Sequence, residues 1–291
     1  MPKIRLQSEN VVAETLLIAL YARALEAQQP TPLVRDDKAV ALVSQIDYDF
    51  ARFKLQGHDQ ATTIMRLREF DQRAQDYLAR HPQAAVVHIG CGLDTRFERV
   101  DNGQVTWYDL DLPEVIALRR QLIAESERCR FVGCSVFDPA WLDAVSIPAG
   151  QPALFLAEGV FPYFEEAQVK SLVLTLMKRF PGAELVCDAL TPFMVRLHNL
   201  KLATSKVGAR LHWGLAHGRD PENWRAGIRM LDEWFYFDRP EPRLGAANLM
   251  RYCPPLAKGV GIFHYRLGKP GQSITIKEVG SYDDVQAQSI A

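Results

Sequence analysis

The 291-residue chain contains no C-x-x-C pair, and its five cysteines are an odd number. That spacing excludes the common zinc frameworks and argues against a disulfide-built fold. No H-E-x-x-H run occurs among the seven histidines, and no apolar run approaches the length of a membrane span. Net charge of one sign is also missing. Lysine and arginine number 34 against 35 acids, a formal charge of −1, so bulk electrostatics do not draw the chain to nucleic acid. Internal repeats and low-complexity tracts are lacking. The N-terminal stretch carries Glu9 and Glu14 and does not read as a secretion signal, which makes a cytoplasmic protein the expectation. Nothing in the sequence marks an oligomeric state.

What remains is an ordinary globular composition, 48% hydrophobic, in a length suited to one large domain. Charge is unevenly placed along it. Residues 81–190 hold 9 basic and 15 acidic groups, whereas residues 191–270 hold 13 and 6, with His198, His212, His217 and His264 among them. The first stretch is net −6 and the second net +7. A solvated surface accounts for such a split; so does a basic cover over an acidic core, which would favour an anionic substrate.

Periodicity divides the chain. Residues 10–28, about 36–46 and 59–80 predict helices; the first is free of Gly and Pro and rich in Ala, Leu and Glu. From residue 84 short apolar runs alternate with helical stretches. Strands are predicted at 84–90, 104–110, 129–134, 152–158 and 183–189, with helices over 112–127, 139–145 and 165–180. Val169, Leu172, Val173, Leu176, Met177 and Phe180 give the last of these the strongest helical spacing in the chain. Five alternating strands imply a parallel sheet covered on both faces. Two further strands, at 233–237 and 261–268, follow a helical and loop-rich stretch. The expected organisation is an N-terminal helical cap over 1–82, an α/β Rossmann-like core over 83–190 and a helical lid insertion over 191–231. The last two strands then occupy 232–268, and a tail occupies 269–291.

The first core strand runs into Gly90-Cys91-Gly92-Leu93-Asp94-Thr95, a turn that lets a ligand approach the backbone. The second ends in Asp109 and Asp111, either of which can accept hydrogen bonds from ribose hydroxyls. Asp111 is favoured, because it lies directly before Leu112-Pro113, where the next helix starts. Two ligands fit this pattern, NAD(P) and S-adenosylmethionine. The dinucleotide turn asks for a third small residue where Thr95 stands, and Asp94 adds negative charge beside it, so the reading turns to cationic S-adenosylmethionine. A nicotinamide-dependent oxidoreductase and a catalytically silent binding protein of the same fold are the alternatives.

The runs VVHIGCGLDTRFERV, WYDLDLPEVIALRR and LAEGVFPYF closely resemble the leucine carboxyl methyltransferase family, which includes bacterial O-methyltransferases of polyketide synthesis. ARALEAQQPTPLVRDDKA and MRLREFD are similar as well. The resemblance covers about residues 13–190. It implies a class I methyltransferase sheet of seven strands with the last one antiparallel, S-adenosylmethionine as cofactor, and no metal. It further implies that Arg66 pairs with the cofactor carboxylate, with Arg23 as a second candidate. Gly90, Cys91 and Gly92 would line the methionine moiety, Asp111 and Leu112 the ribose, and Ser135 and Val136 the adenine. Glu158 would stand by the methionine part, and Tyr163 is a candidate for the methyl-acceptor side.

The implied reaction is O-methylation of a small, anionic, polyketide-like acceptor. A carboxylate needs no base, while a hydroxyl would need one within reach. His88 is expected to be a core histidine. Trp213, Trp224, Trp234 and Phe235 either wall an acceptor pocket or pack the cover onto the sheet.

Overall fold

The computed structural model describes residues 3–4, 11–55, 57–203 and 210–269; most of the expected tail lies outside these. At the N-terminus are three helices: α1 (Val11–Ala27), α2 (Asp37–Gln45) and α3 (His58–Arg80). The core then alternates β1 (Ala85–Ile89), α4 (Arg96–Val100), β2 (Thr106–Asp111), α5 (Pro113–Leu122), β3 (Cys129–Gly133), α6 (Ala140–Ala144), β4 (Ala153–Ala157), α7 (Glu166–Arg179) and β5 (Ala183–Leu190). After α8 (Pro192–Ala203) come β6 (Ile228–Phe235), α9 (Pro254–Ala257) and β7 (Val260–Leu267). Seven strands form one sheet in the order β3-β2-β1-β4-β5-β7-β6. Strands β1 to β5 are parallel, and β7 runs antiparallel between β5 and β6. This is the α/β sheet with a reversed last strand that the family resemblance implies, and its strand number agrees with the five plus two read from the sequence.

Alternation along the buried strands sorts side chains between two cores. Val87 and Ile89 of β1 face α6 and α7, where Trp141, Val169, Leu172 and Leu176 are buried. Val86 faces the other way, onto Leu17 and Leu20 of α1, Phe70 and Ala74 of α3, and Ile116 of α5. Pro113 opens α5 at its first turn, where the lost N–H has no helical partner anyway. Glu165 and Gln168 cap α7 reciprocally.

Strand β6 begins at Ile228, ahead of the 233–237 reading and of the 231/232 boundary. It is an edge strand, paired only with β7. Its Arg229 and Asp232 break the apolar run that marks a buried strand, which is how edges are commonly protected. Trp213 is buried against Phe161 and Trp224, so it packs the cover onto the sheet, with one edge in a surface cleft beside His212 and Arg196. Cys91, Cys129 and Cys187 are buried and Cys253 is exposed. No described helix is long and apolar enough to cross a membrane.

Candidate cofactor and active site

A cavity of about 470 Å³ opens beyond the carboxyl ends of β1, β2, β3 and β4. That is where an open parallel sheet takes its ligands. Gly90, Asp111, Leu112, Ser135, Val136, Gly159, Val160 and Tyr163 line it, with Thr15 and Leu16 of α1 closing one side. The sequence-predicted Gly90, Asp111, Leu112, Ser135, Val136 and Tyr163 therefore meet at one place, although they span more than seventy residues.

The floor is the glycine turn. Gly90 and Gly92 have φ of +66° and +51°, a region that side chains disfavour. A Cβ at Gly90 would collide with Val160, and one at Gly92 with Leu16. Backbone conformation thus demands both glycines, and at Gly90 the close approach of the stiff Val160 side chain adds to it. The Asp111 carboxylate accepts from the Gly92 N–H (2.7 Å) and from the Leu112 N–H (2.7 Å). Burial nonetheless raises its pKa above that of a free aspartate. Asp109, its rival, is buried beneath the turn and does not line the cavity.

Arg66 comes from α3 and reaches the end of the sheet. Its Nε donates to Glu158 (2.9 Å) and its Nη1 to Asp188 (3.1 Å), and about 26% of its side chain still faces solvent. Burial works against its charge, but Glu158, Tyr236 and Asp188 more than restore it. Glu158 is gripped from its other side by Arg96 Nη2 (2.5 Å). Burial would raise Glu158, yet Arg96 and Arg66 together hold its carboxyl below the usual range. The second Asp188 oxygen accepts the N–H of Gly159 (2.7 Å), which lines the cavity. Arg66 and Glu158 thus stand as one ion pair behind the cavity wall at Gly159.

Arg23 is placed elsewhere. It is buried, donating to Asp36 (3.0 Å) and to the Leu93 carbonyl (2.7 Å), so it ties α1 to the glycine turn from outside the cavity. Asp94 also turns inward, to Arg96 (3.3 Å) and Arg99 (3.0 Å). These arginines overcome burial and keep its pKa well below normal. Its charge therefore does not bear on the ligand as the sequence reading expected. His88 is a core residue, 3.2 Å from Arg96 and 3.4 Å from Asp109. Burial pushes the Tyr163 phenol up, so it stays protonated as a donor.

Sequence reasoning missed Arg96, Arg99, Asp71, Asp36 and Asp188. Arg96 is fully buried and bonds Asp71 (2.7 Å) as well as Glu158. Two arginines three apart in T-R-F-E-R, directly after the turn, were the available signal.

A sequence profile described as leucine carboxyl methyltransferase matches residues 16–177, more than half of the chain. The chain belongs to this family. The tetracenomycin polyketide synthesis O-methyltransferase TcmP of Streptomyces glaucescens is 38% identical over 79% of this chain and 84% of that protein. An S-adenosyl-L-methionine-dependent methyltransferase of Gibberella zeae, dpfgK, is 32% identical over 76% of this chain and 81% of its own. A DUF574 family protein from Streptomyces avermitilis shares the fold. Its TM-score is 0.54 at 15% identity, over 90% of this chain and 100% of that one. The protein is a class I, S-adenosylmethionine-dependent methyltransferase, and the nicotinamide reading falls away.

The cavity suits this cofactor on its own chemistry. It offers backbone and carboxylate acceptors at the glycine turn and largely apolar walls, and no lysine or arginine stands among its described lining residues to repel a cationic sulfonium.

Proposed function

We propose that this methyltransferase acts on an oxygen of a small, polyketide-like acceptor, foremost a carboxylate. The observation that carries the choice is the ionisable content of the cavity wall. Among the described residues lining it, Asp111, Cys134 and Tyr163 can titrate, and no histidine is present. Burial raises the thiol and the phenol, so neither serves as a base at neutral pH. Asp111 is engaged with two backbone amides. A carboxylate acceptor arrives already ionised and asks for none of these. The relation to TcmP, a polyketide synthesis O-methyltransferase, favours an oxygen acceptor. The excess of basic residues in 191–270 favours an anionic one.

S-adenosylmethionine, when bound, supplies an electrophilic methyl group on a sulfonium. The chain supplies the rest. Asp111 and Leu112 would hold the ribose, with Asp111 accepting from its hydroxyls, while Ser135 and Val136 would flank the adenine. The outer edge of Arg66 meets the cofactor carboxylate, with Glu158 keeping the guanidinium in place. Leu16, Val160 and Phe164 exclude water. Catalysis then rests on alignment and desolvation.

A second reading has one observation in its favour. His212 Nδ1 lies 2.7 Å from Glu165, and the His212 N–H donates to Pro162, next to Tyr163. That pair lines a neighbouring cleft and not the cofactor cavity, and would be the base for a hydroxyl acceptor that spans the two. Incubation of an acid and phenol panel with methyl-labelled cofactor separates the two: label in products cleaved by mild alkali marks esters. Label confined to alkali-stable ethers overturns the carboxylate reading.

A further inference from the structure

Asp109 and Asp111 stand two residues apart on β2, and alternate strand residues share a face. Asp111 ends the strand and takes the Gly92 N–H. Asp109 lies one step further back, 1% exposed, under the same turn. It accepts from Arg119 Nη2 (2.5 Å) and from Trp107 Nε1 (2.8 Å). Arg119, on α5, is equally buried, with its guanidinium 4.7 Å over the Phe131 ring. Its Nη1 reaches into the turn and donates to the Gly92 carbonyl (3.0 Å) and the Asp94 carbonyl (2.6 Å). Gly92 is therefore held at both ends, its N–H by Asp111 and its C=O by Arg119.

From this geometry we infer that Asp109 and Arg119 are a positioning pair for cofactor binding. They fix the glycine turn from below and, through the Gly92 N–H, aim the Asp111 carboxylate. Stability alone does not account for the pair. A well-packed apolar pair of similar volume is often as stable as a buried ion pair. Here the Arg119 Nε has no hydrogen-bond partner, a stranded donor that an apolar pair would avoid. What an apolar pair cannot do is grip two carbonyls of a turn whose Gly90 and Gly92 lie in the left-handed region. The strand acid and the helix arginine belong to the same D-L-D-L-P-E-V-I-A-L-R run. One short segment thus supplies both the ligand-facing carboxylate and the brace that sets it.

The test replaces the pair as a unit, Asp109→Leu with Arg119→Met, and reads binding of S-adenosylhomocysteine by calorimetry and amide exchange at Cys91 and Gly92 without ligand. The double variant is expected to fold, to bind about tenfold more weakly or worse, and to exchange those amides at least about tenfold faster. Arg119→Lys keeps the charge beside Asp109 without the forked reach and should fall between it and the parent. Leu172→Ala in α7, a core cavity remote from the turn, should lower the thermal midpoint and leave affinity within about twofold. Parental affinity and exchange in the double variant overturn the inference. If the double variant does not fold, folded Arg119→Lys with parental affinity and exchange overturns it equally. An affinity loss that merely follows the thermal midpoint across all three variants also does so.

Discussion

The glycine-turn side and the α8 side of the molecule are built differently. On the cofactor side Arg23, Arg96 and Arg99 interleave with Asp36, Asp71, Asp94 and Glu158 in a buried lattice of charge-assisted hydrogen bonds. On the other side α8 buries Val195 against Leu190 and Leu211, while Phe193, Leu197 and Leu200 stay exposed. His212 and Glu165, 2.7 Å apart there, are open to solvent. Buried charge tolerates little rearrangement, because each broken pair strands a partner. Exposed apolar contact tolerates much. The lattice behind the glycine turn is thus stiff by construction, whereas the α8 region has no comparable buried charge holding it among the described residues.

The largest blow to that asymmetry is Arg96→Ala. It takes one of two arginine partners from Asp71 and from Glu158, leaving Arg99 and Arg66 to hold a lattice with an uncompensated buried charge, and should lower stability by about 3–5 kcal/mol in urea unfolding. Arg196→Ala, on α8, should stay within about 0.5 kcal/mol. Comparable losses would erase the distinction. Gly90→Ala comes next. The backbone conformation alone costs about 1–2 kcal/mol, and the new methyl drives Val160 toward the cavity. Affinity for S-adenosylhomocysteine should therefore fall along with stability. Asp111→Ala should weaken cofactor binding by about 1–3 kcal/mol with little change in the fold.

Acidification sharpens the same contrast. Burial raises Asp111, so its proton returns above the ordinary aspartate value of about 3.9. Asp94 and Glu158 are held low by their arginines. Carboxylates of that kind stabilise fully above their unfolded values and lose this only as pH falls through their folded ones. Cofactor affinity should therefore decline before ellipticity does on titration from neutral pH downward; coincident loss would contradict this. The smallest expected effect is dynamic. Amides of 193–203 and 210–227 should exchange faster than those of β1 and β4, and slow when cofactor or product is added.

Much of this was legible in sequence because it is local. The alternation of strands and helices, the glycine turn and the choice of Asp111 each depend on residues within one run. The lattice was not legible, because Arg96 finds Asp71 and Glu158 across 25 and 62 residues, with no periodicity to announce it. Asp94 was misjudged for the same reason: its charge is visible in sequence, its arginine partners only in space. Arg23 shows the converse. An arginine matched loosely to a binding role is spent on Asp36 and Leu93.

The antiparallel pairing of Phe235 with Gly261 has a consequence for how such an enzyme can diversify. The chain leaves β6 and re-enters β7 at adjacent positions, so the intervening residues 236–260 form an excursion with neighbouring feet. Closing a longer or shorter loop on fixed feet changes the entropy only slowly with length. Tyr236 stands beside Arg66 and Arg243 binds Glu26, so the excursion is moored to the N-terminal helices at two points. Leu244 packs with Ala61 and Met65 of α3 as well, and between that contact and Gly261 the excursion is a cassette: exchange of 246–258 between relatives should leave the sheet, the glycine turn and cofactor binding unchanged.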